Sequence, residues 1–361
     1  MNLTESSNGY VFKNGRRLDL CVKCSKTSAF IGQSKTPYCE ECYLILVKGK
    51  FRSTISKRRI LKDRERKVLV ILNGSKESAF LFRQVEDAMK QTNFKRLILE
   101  PSFIFLLSAD MTDVRVVEEH LAVLRRALPG SYKMVHLAAI FGDIHMLDDG
   151  TCSGLQYLPQ LKEFLASFRT AVSREEAVRI LKVRVLQKLS RLTEVPKVML
   201  PCNSDELAQL MISQLCLGRG GSVSRMTDVV EKTRSGTIFI RPLRDITSAE
   251  IATALRLENV ENYALPERED ASTPSNHLCE ASKTVSLQEM SSKFLNHFVE
   301  EGFEGTIPTV LGISNKIHPP VEQSCCSICD YPVSGKEDIC YACTIIKNNM
   351  SPSLVHYLCY S

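Results

Sequence analysis

The sequence predicts an α/β protein with a parallel β-sheet, flanked by a cysteine-rich module near each end of the chain. Three observations predict this architecture: short apolar runs alternate with helical patterns in the middle of the chain, turn residues separate them, and four C-x-x-C pairs lie near the two ends. Strands that alternate with helices are typical of parallel sheets, because parallel strands need crossover connections. Hydrophobic residues at 44% and charged residues at 24% are close to the averages of globular proteins.

The 361 residues are too many for one ordinary domain, and we divide them into four sections. Residues 1–66 hold two C-x-x-C pairs and a basic stretch, and residues 67–260 form the α/β section. Residues 261–317 lose clear periodicity and are predicted to be a partly irregular connecting region. Residues 318–361 begin near two prolines and carry the other two C-x-x-C pairs.

The α/β section begins with an apolar run, Val68–Leu72, as expected of a strand that is buried on both faces. A turn at Asn73–Ser75 leads into a predicted helix from Glu77 to Met89. The other predicted strands cover residues 103–107, 134–139, 197–200 and 237–240.

Two S/T-x-x-E patterns predict capped helix starts. Ser173-x-x-Glu176 is predicted to open one helix and Thr247-x-x-Glu250 another, and a third helix is predicted to begin near Asp205. The apolar stripe predicted for the first of these helices consists of Val178, Leu181, Val185, Leu189 and Leu192.

Neither a secretory signal nor a membrane span is expected. The first residues are polar, and apolar runs such as Phe103–Leu107 are far too short to cross a bilayer. We therefore expect a reducing, cytoplasmic compartment, in which paired cysteines are typical of metal ligands rather than of disulfides.

Eight of the fourteen cysteines form two clusters, each made of two C-x-x-C pairs, with fourteen residues between the pairs of the first cluster and ten in the second. Two such pairs supply four thiolates, which suits tetrahedral zinc and a structural role. We predict two zinc modules, whose ligands are Cys21, Cys24, Cys39 and Cys42 in the first and Cys326, Cys329, Cys340 and Cys343 in the second. A redox dithiol and incidental cysteines are the alternatives, and Cys325 could replace its neighbour as a ligand.

Apart from Cys325, the cysteines outside the two clusters are isolated in the sequence, and a buried, inert thiol is the expected state of each. A role in sulfur relay would require a nucleophilic thiolate, which no neighbouring residue indicates. These cysteines are Cys152, Cys202, Cys216, Cys279 and Cys359.

A basic stretch between Lys48 and Lys67 holds ten basic residues, opposed only by Asp63 and Glu65. Such density beside a zinc module favours binding to a phosphate backbone, and a solvated helix surface is the alternative. No RNP or KH pattern accompanies the stretch, so base-specific recognition is not predicted. The predicted RNA-binding residues are Lys50, Arg52, Lys57, Arg58, Arg59 and Lys62.

The turn after the first predicted strand, residues 72–78, leads directly into a helix. Backbone N–H groups at such a turn can hold phosphate with help from the helix dipole. The turn lacks the Walker and G-x-G-x-x-G patterns, so an ordinary strand-to-helix turn is the alternative. The candidate nucleotide-binding residues are Gly74, Ser75, Lys76 and Ser78.

Taken in order, these motifs resemble the cytoplasmic tRNA 2-thiolation protein subunit 2 family over essentially the whole chain. The resemblance includes Lys50-Phe51-Arg52, the Leu217–Gly220 stretch and the Arg241–Arg244 stretch. It implies a PP-loop fold, also described as adenine nucleotide alpha hydrolase-like, whose loop reads S-G-G-x-D-S in the superfamily. Residues 73–78 keep the glycine at Gly74 and the serine at Ser78. The other three positions depart from the pattern, with Asn73, Ser75 and Glu77 in place of Ser, Gly and Asp.

The resemblance also implies a function, namely 2-thiolation of the wobble uridine of tRNA in 5-methoxycarbonylmethyl-2-thiouridine synthesis. The implied partners are tRNA, a catalytic tRNA 2-thiolation subunit in a heterodimer, and a thiocarboxylated ubiquitin-related modifier that donates sulfur. Catalytic members of the superfamily carry a cysteine in a C-x-x-C-G-type segment at a helix start, where this chain has Ser173–Glu176. The missing thiol and the altered loop predict a non-catalytic subunit.

Two alternatives stay open on the sequence. The chain could be an active ATP-dependent tRNA thiolase, with ATP held by Gly74, Lys76 and Ser78. It could instead be a zinc-module RNA-binding adaptor that retains the α/β domain only as a scaffold.

Overall fold

The computed structural model describes residues 4–5, 11–13, 16–18, 20–25, 30–31, 36–57, 60, 66–91, 98–145, 150–266, 286–303, 305–317, 324–333 and 337–358.

The N-terminal part consists of short strands and one long helix. The strands are β1 (Thr4–Glu5), β2 (Val11–Lys13), β3 (Arg16–Leu18), β4 (Phe30–Ile31) and β5 (Pro37–Tyr38). The first three form an antiparallel sheet, and β4 pairs with β5. Helix α1 (Glu40–Lys57) follows, and its residues Val47, Phe51 and Ile55 are buried in the central core.

The centre of the molecule is a seven-stranded sheet. Its strands are β6 (Lys67–Leu72), β7 (Glu100–Leu107), β8 (Tyr132–His136), β9 (Cys152–Ser153), β10 (Lys197–Met199), β11 (Val230–Lys232) and β12 (Ile238–Ile240). The strand order is β11-β12-β10-β6-β7-β8-β9, and every pair is parallel except β11 with β12. The predicted α/β class with a parallel sheet is therefore confirmed.

Helices cover both faces of this sheet. They are α2 (Lys76–Lys90), α3 (Val114–Ala127), α4 (Leu158–Ala166), α5 (Ala171–Leu192), α6 (Ser204–Cys216), α7 (Val223–Thr227) and α8 (Ser248–Leu257). Alternate residues of β6 point to opposite faces: Leu69 and Ile71 join the core with α4 and α5, whereas Val70 joins the core with α1, α2, α3 and α8. Burial on both faces explains why β6 is apolar almost throughout.

The C-terminal part adds α9 (Leu287–Glu300), α10 (Thr306–Ser314), β13 (Ser324–Cys325), β14 (Pro332–Val333) and α11 (Tyr341–Asn348). Two of these helices, α9 and α10, lie within residues 287–314, part of the region predicted to be partly irregular. They pack on α6 through Leu295, Ile307 and Leu311. The last module, β13, β14 and α11, packs against α5, and Ile328 and Ile346 lie in the same core cluster as the sheet.

Most of the predicted elements are present with boundaries shifted by a few residues. The capping box of Thr247 and Glu250 is confirmed at the start of α8. The strand predicted over residues 134–139 ends earlier, at His136, because residues 137–141 turn into a 3-10 helix. The imidazole of His136 accepts a hydrogen bond from the N–H of Ala138 at 3.0 Å and so caps that turn.

The predicted start of α5 was wrong. The helix begins at Ala171, and Thr170 caps it by accepting a hydrogen bond from the N–H of Ser173 at 3.3 Å. Glu176 does not reach back to the helix start, because its carboxylate lies in the protein interior against arginine side chains. Leu192 of the predicted stripe is 51% exposed, because the helix ends there beyond the edge of the core.

Within the described part of the chain, no helix combines the length and the apolar character needed to cross a membrane.

Candidate functional site

The first cysteine cluster lies at the start of α1. Cys21 and Cys24 flank a tight turn, Cys39 precedes the helix and Cys42 lies in its first turn. The four sulfur atoms lie within 4.8 Å of one another, and the Sγ atoms of Cys24 and Cys39 are 3.7 Å apart. A tetrahedral centre with metal–sulfur bonds of about 2.3 Å has sulfur–sulfur edges of about 3.8 Å, so the cluster could hold one metal ion.

The second cluster joins the β13–β14 turn to α11. Cys326 and Cys329 lie in the turn, while Cys340 caps α11 and Cys343 lies in its first turn. Their sulfur atoms also lie within 4.8 Å of one another, with 3.7 Å between the Sγ atoms of Cys329 and Cys340. This cluster could hold a second metal ion.

The ligand set of the second cluster contains Cys326 rather than its neighbour. Cys326 is buried and accepts a hydrogen bond at its sulfur from the N–H of Ile328 at 3.4 Å. Cys325 belongs to strand β13 and is not a member of the group of four sulfurs. The predicted exchange between these two cysteines therefore has no support in this geometry.

The turn after β6 uses its own polar groups internally. The N–H of Ser75 donates to the side-chain oxygen of Asn73 at 3.1 Å, and the N–H of Ser78 donates to Oγ of Ser75 at 3.2 Å. Gly74 has a φ of +83°, a left-handed conformation that favours glycine. Its carbonyl oxygen accepts the N–H of Leu265 at 2.8 Å. Two of the amides that a phosphate-binding loop would offer are thus occupied within the turn.

A cavity of about 960 Å³ opens beside this turn at the carboxyl ends of β6 and β7. Three of the four predicted nucleotide-binding residues line the cavity, namely Gly74, Ser75 and Lys76. The fourth, Ser78, is buried, and its hydroxyl donates to the carbonyl oxygen of Ser75 at 2.9 Å.

The charge lining the cavity is mainly negative. Among the described lining residues, Lys76 is opposed by the carboxylates of Glu77, Asp110 and Asp113. The leucine that closes the turn, Leu265, contributes apolar surface to the same cavity. Such a lining disfavours a polyphosphate, which binds best where amides and cations converge.

Glu77, which stands where the superfamily loop has aspartate, is held by protein groups. Its carboxylate accepts hydrogen bonds from Nδ2 of Asn203 at 3.1 Å and from Oγ of Ser248 at 3.3 Å. These contacts join the starts of α2, α6 and α8. Nearby, burial raises the pKa of Glu206 to about 7, and the negative charge of Glu77 adds to this effect.

Two of the isolated cysteines, Cys152 and Cys202, are kept in the neutral form by burial. Burial raises the pKa of Cys152 to about 11 and that of Cys202 to about 12, where the charge of Glu206 adds to it. Both therefore remain neutral thiols at pH 7. The expectation of a buried thiol was wrong for Cys216, which is exposed at the end of α6, and Cys279 and Cys359 lie outside the described residues.

The first turn of α5, where the resemblance places a catalytic cysteine, presents hydroxyl groups instead. Thr170 and Ser173 are three residues apart, and their side-chain oxygens lie 2.9 Å from each other. The segment contains no thiol to carry sulfur.

The basic stretch is partly neutralised by contacts within the chain. Lys50 forms an ion pair with Glu250 at 2.7 Å, so its positive charge is balanced by α8. Arg52 is exposed on α1. The side chain of Lys57 and the residues Arg58, Arg59 and Lys62 lie outside the described part of the structure.

Sequence reasoning missed a buried polar network behind the second cluster. Glu176 binds the guanidinium groups of Arg179 and Arg219, and Gln214 donates to it at 2.9 Å. Burial raises the pKa of Glu176, but the two arginines outweigh it and lower the pKa to about 2. The sequence carries a signal for this network, because Arg219 belongs to the Leu217–Gly220 stretch that contributes to the family resemblance.

No protein-family model matches the chain. A protein of Caenorhabditis elegans named cytoplasmic tRNA 2-thiolation protein 2 is 32% identical over 345 residues, which cover 92% of this chain and 94% of the relative. A Caenorhabditis briggsae protein of the same name is 34% identical over 343 residues, which cover 92% and 95%. A third, from Drosophila willistoni, is 26% identical over 87% of this chain and 78% of the relative.

Among solved structures, the chain is similar to the U34-tRNA thiolase NcsA from Methanococcus maripaludis, which was solved with its 4Fe-4S cluster. The TM-score is 0.59 at 18% sequence identity, with 92% of this chain and 97% of the thiolase covered. At this identity the likeness shows a shared fold.

Proposed function

The chain belongs to the cytoplasmic tRNA 2-thiolation protein 2 family, and from this membership we propose that it is the non-catalytic subunit of a heterodimer that thiolates the wobble uridine of tRNA in the cytoplasm. A role in tRNA thiolation follows from the family. The subunit role, the partner and the sulfur donor are the parts that we propose.

The observation that carries the non-catalytic role is the closed turn after β6. The carbonyl oxygen of Gly74 is bonded to Leu265, and the amides of Ser75 and Ser78 are satisfied inside the turn. Thiolation begins with activation of the uridine oxygen by ATP, which requires a loop whose amides close on pyrophosphate. A turn with this bonding and an acidic cavity beside it is poorly suited to that step.

For the second step of thiolation, displacement of the activated oxygen by sulfur, the described residues offer no thiol at the helix start to which the resemblance assigns the catalytic cysteine. Cys152 and Cys202 are neutral thiols, and the first turn of α5 carries hydroxyls. Among the described residues, the only groups of three or more His, Cys, Asp or Glu side chains placed to hold a metal ion are the two four-cysteine clusters. We therefore assign both steps to a catalytic partner that receives sulfur from a thiocarboxylated ubiquitin-related modifier.

What the chain contributes, in this proposal, is structure and a surface for tRNA. We propose that each four-cysteine cluster holds zinc, because four thiolates in tetrahedral array suit that ion and because zinc carries no redox chemistry. The basic stretch beside the first cluster supplies positive charge for the phosphate backbone of tRNA.

Reconstitution with each subunit separately and then together tests the proposal. Each reaction contains tRNA, ATP and a sulfur donor, and 2-thiouridine is measured by mass spectrometry of the digested tRNA, with reactions lacking ATP as controls. We expect product only when both subunits are present.

Two results would contradict the proposal in different ways. Thiolated product from this chain alone would identify it as an active ATP-dependent thiolase. Full activity of the partner without this chain would reduce it to an RNA-binding adaptor that acts outside the reaction.

A further inference from the structure

An arginine side chain touches the second cysteine cluster from the central domain. Arg219 lies in the turn after α6, and its Nη2 donates a hydrogen bond to Sγ of Cys343 at 3.1 Å. The same guanidinium donates through Nη1 to the carboxylate of Glu176 and, at 2.7 Å, to Oε1 of Gln214. One rigid cation therefore bridges a cysteine of α11 to α5 and α6.

The backbone of the turn brings the arginine close to α11. Gly218 has a φ of +75°, and a Cβ at this position would lie 3.3 Å from the ring of Tyr341. A side chain at Gly218 would be strained by this φ and crowded against the first residue of α11. The glycine thus allows the close approach on which the contact between Arg219 and Cys343 depends.

Burial makes this contact energetically important. Arg219 is 4% exposed, and Cys343 is fully buried in the core cluster that covers one face of the sheet. Four thiolates around a divalent ion carry a net charge of about −2, which is costly to bury without compensation. A guanidinium against one sulfur offsets part of that charge through a charge-assisted hydrogen bond.

We propose that Arg219 is a positioning residue of the C-terminal zinc site, which fixes the thiolate of Cys343 and couples retention of the metal to the packing of α5 and α6. The inference rests on the zinc proposed for this cluster. Hydrogen bonds to the ligands of a metal typically contribute a factor of about 10 to 100 to its affinity.

The main test replaces Arg219 in the full chain and follows release of zinc to a chelator. Alkylation of the freed thiols, read by mass spectrometry, reports separately on the peptides of the two clusters. For Arg219→Gln we expect release from the C-terminal cluster to be about 10- to 100-fold faster, with release from the N-terminal cluster unchanged. The matched control is Arg234→Gln. Arg234 is an exposed arginine whose Nη1 lies 3.7 Å from Oδ1 of Asp330, a residue of the module that holds the second cysteine cluster. This control should release zinc at the wild-type rate.

A second variant and a spectroscopic readout separate positioning from general stability. An ammonium cannot hold Glu176 and Cys343 at once as the planar guanidinium does, so Arg219→Lys should also accelerate release. In the cobalt-substituted protein, loss of a hydrogen bond to thiolate should shift the sulfur-to-cobalt charge-transfer band of Arg219→Lys while the Arg234→Gln band stays in place.

The outcomes distinguish the presence of zinc in the C-terminal cluster from the role of Arg219. Wild-type protein without metal at the C-terminal cluster would overturn the zinc assignment and this inference with it. Wild-type protein with zinc at both clusters, together with a folded Arg219→Lys variant that releases zinc at the wild-type rate and keeps the wild-type band, would overturn the role of Arg219 alone. If Arg219→Gln does not fold, the lysine variant decides the question.

Discussion

The N–H of Leu265 donates a hydrogen bond to the carbonyl oxygen of Gly74 at 2.8 Å, and the leucine side chain fills the space above the same glycine. A Cβ built on Gly74 would lie 2.5 Å from Cδ1 of Leu265, well inside the contact distance. Residues that follow α8 therefore cover the turn after β6. This contact holds the turn after β6 against the segment that follows α8. We therefore expect its disruption to lower the free energy of unfolding.

The first prediction concerns Gly74→Ala. We expect the free energy of unfolding to fall by about 2 kcal/mol, because alanine is strained at a φ of +83° and because its Cβ overlaps Leu265. In a Leu265→Ala background the two closest contacts, with Cδ1 at 2.5 Å and Cγ at 2.9 Å, are removed, which leaves the backbone strain and a tight contact with Cβ at 3.3 Å. The glycine substitution should then cost about 1 kcal/mol less, measured by urea denaturation as a double-mutant cycle. Equal costs in both backgrounds would show that Leu265 does not constrain the turn.

The sequence predicted the sheet because its signal is local. A strand buried on both faces, such as Val68–Leu72, must be apolar at consecutive positions, and the following turn and helix are neighbours in the chain. The two cysteine clusters could be predicted for the same reason, because each consists of C-x-x-C pairs whose ligands are close together in the sequence.

Long-range contacts could not be predicted in the same way. Leu265 and Gly74 are hydrogen-bonded although almost the full length of the α/β section separates them in the sequence. The ion pair of Lys50 and Glu250 joins residues with a similar separation. Glu176 matched a local capping pattern, but a buried arginine more than forty positions away determines its role. Sequence patterns report periodicity and caps, whereas the pairing of buried charges is set by the tertiary packing.

A second prediction concerns pH and His136, which is fully buried at the end of β8. Burial lowers the pKa of this imidazole to about 4, whereas the unfolded chain has a pKa of about 6.5. The unfolded state therefore binds the proton first, so stability is complete above about pH 6.5 and is lost as the pH falls towards 4. Between pH 7.5 and 5.5 the loss should be about 1 kcal/mol.

The variant His136→Asn isolates this effect. Asparagine can still accept the hydrogen bond from the N–H of Ala138 but does not titrate. Denaturation curves of the two proteins across this pH range should show a smaller slope for the variant. Parallel slopes would mean that His136 does not take up a proton on unfolding.

A third prediction concerns metal content. Elemental analysis of the purified protein should give close to two zinc ions per chain, and Cys24→Ser and Cys343→Ser should each remove one. The two losses should differ in their effect on thermal unfolding, because Cys24 is exposed whereas Cys343 is buried with the core of the sheet. We expect Cys343→Ser to lower the midpoint of unfolding strongly and Cys24→Ser to leave it nearly unchanged. A folded wild-type protein without zinc would contradict the assignment.

The last prediction concerns tRNA. Reversal of charge at Arg58, Arg59 and Lys62 should weaken tRNA binding, because these residues carry the densest positive charge in the chain. Each lost phosphate contact should also reduce the slope of log affinity against log salt concentration by roughly one. The measurement is tRNA affinity by fluorescence anisotropy at several salt concentrations.

Lys50 provides the matched comparison within the same stretch. Its ammonium is already paired with Glu250, so Lys50→Gln removes a charge that the chain itself neutralises. We therefore expect Lys50→Gln to change the salt slope less than a single substitution at Arg58. If the triple reversal left both affinity and slope unchanged, the basic stretch would be a solvated surface. If Lys50→Gln matched Arg58→Gln, the ion pair with Glu250 would have to open when tRNA binds, because only a released ammonium can displace counterions from phosphate.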